Sequence, residues 1–147
     1  MKLKKTTVLK GTALFIGLVQ LILGAGYLLA PHAFHASIGL EGLPEWAAWP
    51  MAMNGARFLL FAFGMFMVFR NPTRNKSWIQ AMIMVQAIDW ISTMIYVFRD
   101  VVTLSQVSTA SFLPIIFITL LLFTYPARVE GDTQMNPANK PHPVSSS

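Results

Sequence analysis

Four long apolar stretches constrain the fold of this chain more than any other feature. They cover residues 12–30, 51–69, 78–98 and 107–125. Each is close to the roughly 20 residues that an α-helix needs to cross the hydrocarbon core of a bilayer. Backbone groups in hydrocarbon must be hydrogen-bonded within the protein, so only helices or closed barrel strands can span it. Barrel strands are about half as long and alternate polar with apolar residues. We therefore expect an all-α integral membrane protein with a four-transmembrane-helix bundle in residues 1–125.

The composition excludes several classes of function. Hydrophobic residues make up 54% of the 147-residue chain and charged residues only 12%, whereas about a quarter of an average soluble domain is charged. The absence of cysteine excludes thiol catalysis, disulfides and cysteine-ligated metal sites. The sequence also lacks a phosphate loop, a GxSxG motif and a nucleophile–base pair. We therefore expect no nucleic-acid partner and no cofactor, and we consider an enzyme the less favoured interpretation.

The distribution of basic residues predicts the orientation. Nine of the 11 Lys and Arg residues fall on one side of the predicted spans: Lys2, Lys4, Lys5, Lys10, Arg70, Arg74, Lys76, Arg128 and Lys140. The opposite side has only Arg99, and Arg57 lies within the second span. Basic residues accumulate in cytoplasmic segments, so both termini are predicted to be cytoplasmic. The net charge of +5 then reflects orientation and contact with anionic lipids.

The segments outside the spans are short. The first span is expected to be retained, because its apolar run is long for a signal peptide and Pro31 follows it directly. Pro44 is predicted to open a short interfacial helix that carries Trp46 and Trp49, and Pro50 to open the second span. Residues 126–147 are rich in Pro, Asn and Ser and are predicted to form a disordered cytoplasmic tail.

Two charged residues lie inside the predicted spans. At 1.5 Å per residue, Arg57 lies about 9 Å and Asp89 about 13 Å below the outer edge of their helices. A charge in the bilayer core is costly and therefore faces protein or water. The difference in depth is within reach of an arginine side chain, so we predict that the two side chains touch. A bidentate guanidinium–carboxylate contact would satisfy both groups.

Other polar residues within the spans fall on faces that can turn toward this pair. The predicted ligand-binding set is Arg57, Asp89, Asn54, Gln86, Gln20 and Tyr96. One interpretation is structural, because polar side chains join helices in membranes and an ion pair fixes their register. The other is a ligand or proton site beneath the outer surface. The sequence leaves both open.

Small residues and a proline predict how the helices pack. Ala13, Gly17 and Gly24 share one face of the first span and would let a neighbouring helix approach closely. Pro114 is predicted to kink the fourth span in its outer half, because proline cannot donate to the carbonyl of Ala110. Such a kink would widen an outward-facing cavity.

The histidines are weak candidates for a metal site. His32 and His35 are spaced i, i+3, and Glu41 and Glu45 follow in the same loop. Two histidines and a carboxylate can bind zinc or iron, but this pair lies in a glycine-containing loop. No histidine falls within the four spans, as haem ligation inside the bundle would require. We therefore interpret the two histidines as interfacial loop residues.

The first half of the chain resembles the DoxX-like superfamily of small four-helix bacterial membrane proteins, including its BphX-like branch. The similar segments are YLLAPHAFHASIGLEGLP at 27–44 and MNGARFLLFAFGMFMVF at 53–69. The resemblance implies a four-helix bundle in the bacterial inner membrane and no particular catalytic residue. Arg57 is the matched position that the resemblance singles out.

These observations lead to three functional hypotheses. The first is an accessory or assembly subunit of a larger membrane system, because the chain lacks catalytic motifs and a soluble domain. The alternative is a binder or carrier of a small hydrophobic or anionic molecule, quinone-like or an organic acid, at the Arg57/Asp89 cluster. A third, a membrane oxidoreductase component that handles a quinone, would need a redox centre from a substrate or partner. Either a homo-oligomer or a larger complex is expected.

Overall fold

Most of the chain that the structure describes is helical. The computed structural model describes residues 2–39 and 42–126, so the predicted tail lies outside the described residues except for Pro126. The five helices are α1 (Lys2–Leu29), α2 (Pro31–Ser37), α3 (Glu45–Arg70), α4 (Lys76–Phe98) and α5 (Ser108–Phe123). The described residues contain no β-strand, which confirms the predicted all-α class.

Three of the helices are long and apolar enough to cross a membrane. They are the segment Lys5–Leu29 of α1, together with α3 and α4. Helix α5 is also apolar, but its 16 residues extend only about 24 Å, less than the roughly 30 Å of a hydrocarbon core. By length and composition, the first three predicted spans are therefore confirmed as potential membrane-crossing helices, and the fourth is a shorter apolar helix.

Proline and asparagine residues determine where the helices end. Helix α1 ends at Leu29 because the next residue, Ala30, precedes a proline and has a φ of −148°, outside the helical range. Pro31 is the first residue of α2, a position where a helix does not use the backbone N–H that proline lacks. Between α3 and α4 the chain reverses within residues 71–75. Asn75 Nδ2 donates to the carbonyl oxygens of Met67 and Asn71 at 2.9 Å each. This tight turn makes α3 and α4 antiparallel neighbours.

The tightly packed core lies at one end of the molecule, which we call the turn end because it includes the turn at 71–75. Four helices contribute buried apolar side chains to this core: Leu9, Ala13, Ile16, Met65, Val68, Ile79, Met82, Phe117 and Leu121. They come from residues 9–16 of α1, 65–68 of α3, 79–82 of α4 and 117–121 of α5. The opposite end, which we call the loop end, carries α2 and residues 99–107. The helices are thus packed most closely at the turn end.

Helices α1 and α3 form the most extensive helix pair, and glycines allow it. A Cβ added at Gly55 of α3 would lie 2.9 Å from the carbonyl oxygen of Gly24 and 3.0 Å from the amide nitrogen of Leu28, both on α1. Gly17 of α1 packs against Met65 and the ring of Phe66 in the same way. The predicted close approach at Gly17 and Gly24 is confirmed. Gly55, its partner on α3, was not predicted.

The start of α3 differs from the prediction. Trp46 and Trp49 do not lie on a separate interfacial helix, because α3 begins at Glu45 and continues through Pro50. A proline at this position removes only the hydrogen bond to the carbonyl of Trp46, and the remaining bonds of the helix hold the segment. Both indoles are exposed at the loop end, so they can still lie in a membrane interface.

The glycine contact predicts a specific loss of stability. We expect Gly55→Ala to lower the free energy of unfolding by about 1–3 kcal/mol, because the added methyl group meets backbone atoms that cannot move aside. The matched control is Gly11→Ala on α1, where an added Cβ has no atom within 4 Å. This control should be neutral or stabilising by up to about 1 kcal/mol. Unfolding in mixed micelles, followed by circular dichroism, measures both, and equal effects would contradict the close approach.

Candidate ligand cavity

An ion pair joins α3 to α4 in the half of the molecule nearer the loop end. Nη2 of Arg57 lies 3.2 Å from Oδ1 and 3.1 Å from Oδ2 of Asp89. The predicted contact is confirmed, although one nitrogen contacts both oxygens instead of two nitrogens forming the expected fork. The guanidinium also lies 5.4 Å from the ring centroid of Phe58, a distance at which a cation is attracted to an aromatic face.

A cavity of about 510 Å³ opens beside this ion pair, lined by residues of all five helices and of the loop before α5. Its apolar wall includes Val19, Leu23, Phe58, Leu113 and Phe117. Its polar lining comprises Gln20, Tyr27, Ser37, Gln86, Asp89, Ser105, Gln106 and Ser108. Phe117 belongs to both the core and this wall, so the cavity begins where the tight packing of the turn end stops.

The deep end of the cavity holds two buried amides. Gln20 of α1 is 3% exposed and Gln86 of α4 is 7% exposed. Both donate from Nε2 to the sulfur of Met82, at 3.9 Å and 3.6 Å respectively, and a thioether is a weak acceptor. Oε1 of Gln20 is buried without a hydrogen-bond partner. Buried polar atoms in native proteins are nearly always paired, so this oxygen is an unusual acceptor that the described protein leaves unused.

The charge of the cavity wall is largely cancelled. Asp89 is the one charged residue on the described lining, and Arg57, which pairs with both of its oxygens, does not line the cavity. The other polar groups of the lining are amides and hydroxyls. The ion pair therefore leaves the cavity nearly neutral, because opposite charges about 3 Å apart act at a distance as a dipole.

The structure brings half of the predicted ligand-binding set to one cavity. Gln20, Gln86 and Asp89 line it, and Arg57 contacts Asp89 from outside the lining. Asn54 and Tyr96 do not line it, and Tyr96 is 52% exposed. Thr93, one helical turn further along α4, donates a hydrogen bond from its hydroxyl group to the backbone oxygen of Asp89.

Several lining residues lie outside the predicted ligand-binding set. Tyr27 and Phe58 form a stacked pair with ring centroids 5.9 Å apart, and both line the cavity. Ser37 is the last residue of α2, and Ser105 and Gln106 lie in the loop before α5. For the loop residues, the sequence signal was the polar pair Ser105 and Gln106 between two apolar stretches, which by itself is also typical of a surface loop.

Pro114, the proline predicted to kink the fourth span, lies beside the cavity. Pro114 lies inside α5, and both Pro114 and Ala110 line the cavity. Proline has no N–H, so the carbonyl of Ala110 lacks the donor that any other residue at 114 would supply.

The two histidines lie at the loop end, away from the ion pair. His32 Nε2 is 3.7 Å from Oε1 of Glu45, a contact between α2 and the first residue of α3. Within residues 2–39 and 42–126, no group of three His, Cys, Asp or Glu side chains is placed to hold a metal ion. Glu41, the other carboxylate considered beside these histidines, lies outside the described residues.

Comparison with known proteins gives no match, whether to a family model, to a curated protein or to a solved structure. The candidate site therefore depends on the geometry of this chain alone. The resemblance to the DoxX-like superfamily stays a prediction.

The ion pair predicts non-additive effects on stability. Arg57→Gln and Asp89→Asn should each lower the free energy of unfolding by about 1–3 kcal/mol, because each strands the charge of the other partner in an apolar setting. The double variant should be more stable than the sum of the two losses predicts. Unfolding of all four proteins in mixed micelles measures the coupling. Arg74→Gln, an exposed position in the turn at 71–75, is the control, and additive losses would show that the pair contributes nothing.

Proposed function

We propose that this protein spans the bacterial inner membrane four times, with both termini in the cytoplasm, and binds a small, mostly apolar molecule in the cavity beside the Arg57–Asp89 ion pair. The observation that carries the proposal is the cavity of about 510 Å³ with a buried, unpartnered amide oxygen at its deep end. The protein acts as a binder or carrier and does not transform its ligand.

The four-span arrangement is supported by the shared core. Helix α5 contributes Phe117 and Leu121 to the same buried cluster as the three longer helices, so it lies beside them at the same depth. Its shortfall of about 6 Å relative to a typical hydrocarbon core can be met by local thinning of the bilayer. The basic residues near the turn end, Arg70, Arg74 and Lys76, favour a cytoplasmic location for that end.

Binding is supported by the size and chemistry of the cavity. Ligand sites in proteins range from about 300 to 1,000 Å³ and combine apolar walls with a few polar groups, as this cavity does. Its deep end lies against the core, and exposed residues of the loop end, Ser37, Ser105 and Gln106, line its other end. A molecule would therefore enter from the side of the membrane on which the loop end lies.

A second candidate function is an accessory subunit of a larger membrane system, or a homo-oligomer. The side chains of Arg57 and Asp89 are 42% and 34% exposed, although the proposed topology places them well inside the bilayer. An exposed ion pair in hydrocarbon is costly, so a neighbouring helix of another chain would stabilise it. The resemblance to the DoxX-like superfamily is compatible with either function.

The topology can be tested by labelling single cysteines, because the parent chain has none and gives no background. In spheroplasts, Ala36→Cys and Leu104→Cys should react with a membrane-impermeant maleimide. Thr73→Cys and Ser146→Cys should react only after permeabilisation. If Ser146→Cys reacts in intact spheroplasts together with Leu104→Cys, α5 does not cross the membrane and the four-span arrangement is wrong.

The cavity can be tested with a small aromatic probe. The wild type in lipid nanodiscs should bind 1-naphthol saturably, measured by equilibrium dialysis against empty nanodiscs of the same lipid. Leu23→Trp fills the cavity and should abolish saturable binding. The matched control is Ile22→Trp, one residue away on a side chain that is 64% exposed, and it should bind like the wild type. Absence of saturable binding to the wild type, or equal binding to both variants, would contradict a ligand site in this cavity.

A further inference from the structure

Gln20 lines the deep end of the cavity, and its side chain carries a buried hydrogen-bond acceptor that has no partner in the described protein. Gln20 is 97% buried, its Nε2 faces the sulfur of Met82, and its Oε1 has no partner. Leaving a buried acceptor unpaired costs free energy, whereas an apolar side chain of the same size would avoid that cost. A ligand that donates a hydrogen bond to this oxygen would remove the penalty only when bound.

The electrostatics of the lining restrict the charge of such a ligand. The one carboxylate on the described lining, Asp89, is already paired through both oxygens with Arg57. An anionic ligand would face this carboxylate without direct access to the guanidinium, because Arg57 does not line the cavity. A cation would have to compete with Arg57 for the carboxylate. A neutral ligand meets neither cost.

We infer that the cavity selects a neutral, mainly apolar alcohol or phenol, whose hydroxyl group donates a hydrogen bond to Oε1 of Gln20. This inference rests on the proposed function and names the ligand class of the same site. Val19, Leu23 and Phe117 contact the apolar body of the ligand near Gln20, and Phe58 and Leu113 provide further apolar wall. Gln20 supplies the specificity, and the walls supply affinity that does not depend on the hydroxyl.

Three probes of similar size test separately whether the ligand must donate a hydrogen bond and whether it must be neutral. 1-Naphthol carries the donor, 1-methoxynaphthalene replaces it with a methyl ether, and 1-naphthoate is an anion. In nanodiscs of neutral lipid, the wild type should bind 1-naphthol roughly tenfold more tightly than 1-methoxynaphthalene, the size expected for one hydrogen bond in an apolar site. 1-Naphthoate should bind most weakly, after correction for its partition into empty nanodiscs.

The variant Gln20→Met tests the residue. Methionine has a similar length but no strong acceptor, so the preference for 1-naphthol over 1-methoxynaphthalene should disappear. The thermal stability of this variant should be equal to or above that of the wild type, because an unpaired buried oxygen has been removed. A merely structural role for Gln20 would instead lower stability. Gln80→Met, at an exposed position of α4 away from the cavity, is the control and should keep the preference.

The outcomes distinguish the inference from the proposed function. If 1-naphthol binds saturably but no more tightly than 1-methoxynaphthalene, or if Gln20→Met keeps the preference, the inference is overturned and the cavity remains a binding site. Tighter binding of 1-naphthoate than of 1-naphthol also overturns it. If none of the three probes binds saturably to the wild type, both the inference and the proposed function are wrong.

Discussion

The close approach of α1 and α3 at Gly24 and Gly55 sets the positions of the groups that matter for function. Because neither residue has a side chain, the two backbones approach so closely that a Cβ added at Gly55 would lie 2.9 Å from the carbonyl oxygen of Gly24. Gln20 lies one helical turn from Gly24 on α1, and Arg57 lies two residues from Gly55 on α3. The contact therefore fixes the position of Gln20, which lines the cavity, and of Arg57, which neutralises Asp89.

The molecule combines a closely packed turn end with a loop end where the helices enclose empty space. Four helices meet in one buried cluster at the turn end, and the cavity starts at Phe117, where that cluster stops. Dense packing at one end supplies stability, so the other end can keep a cavity and an unpaired buried oxygen. Such local violations of good packing and hydrogen bonding are expected where a protein binds something.

The sequence predicted the features that depend on long patterns or on a large energetic penalty. Apolar length predicted the three long helices, and the cost of charges in hydrocarbon predicted the contact between Arg57 and Asp89. The sequence could not show that α3 runs through Pro50, because a proline near a helix start is compatible with either a break or a continuation. Nor could it place Asn54 and Tyr96 away from the cavity, since that depends on helix rotation set by close contacts such as the one at Gly55. The unpaired oxygen of Gln20 is visible only in three dimensions.

The claim that the cavity holds a small neutral molecule is tested most directly by native mass spectrometry of the protein released gently from its own membrane. The account predicts one small molecule bound per chain, containing a hydroxyl group, carried by the wild type and absent from Leu23→Trp at equal yield of folded protein. An empty wild-type protein, or a bound molecule that Leu23→Trp retains, would contradict it. A stoichiometric protein partner with an empty cavity would instead favour the accessory-subunit function.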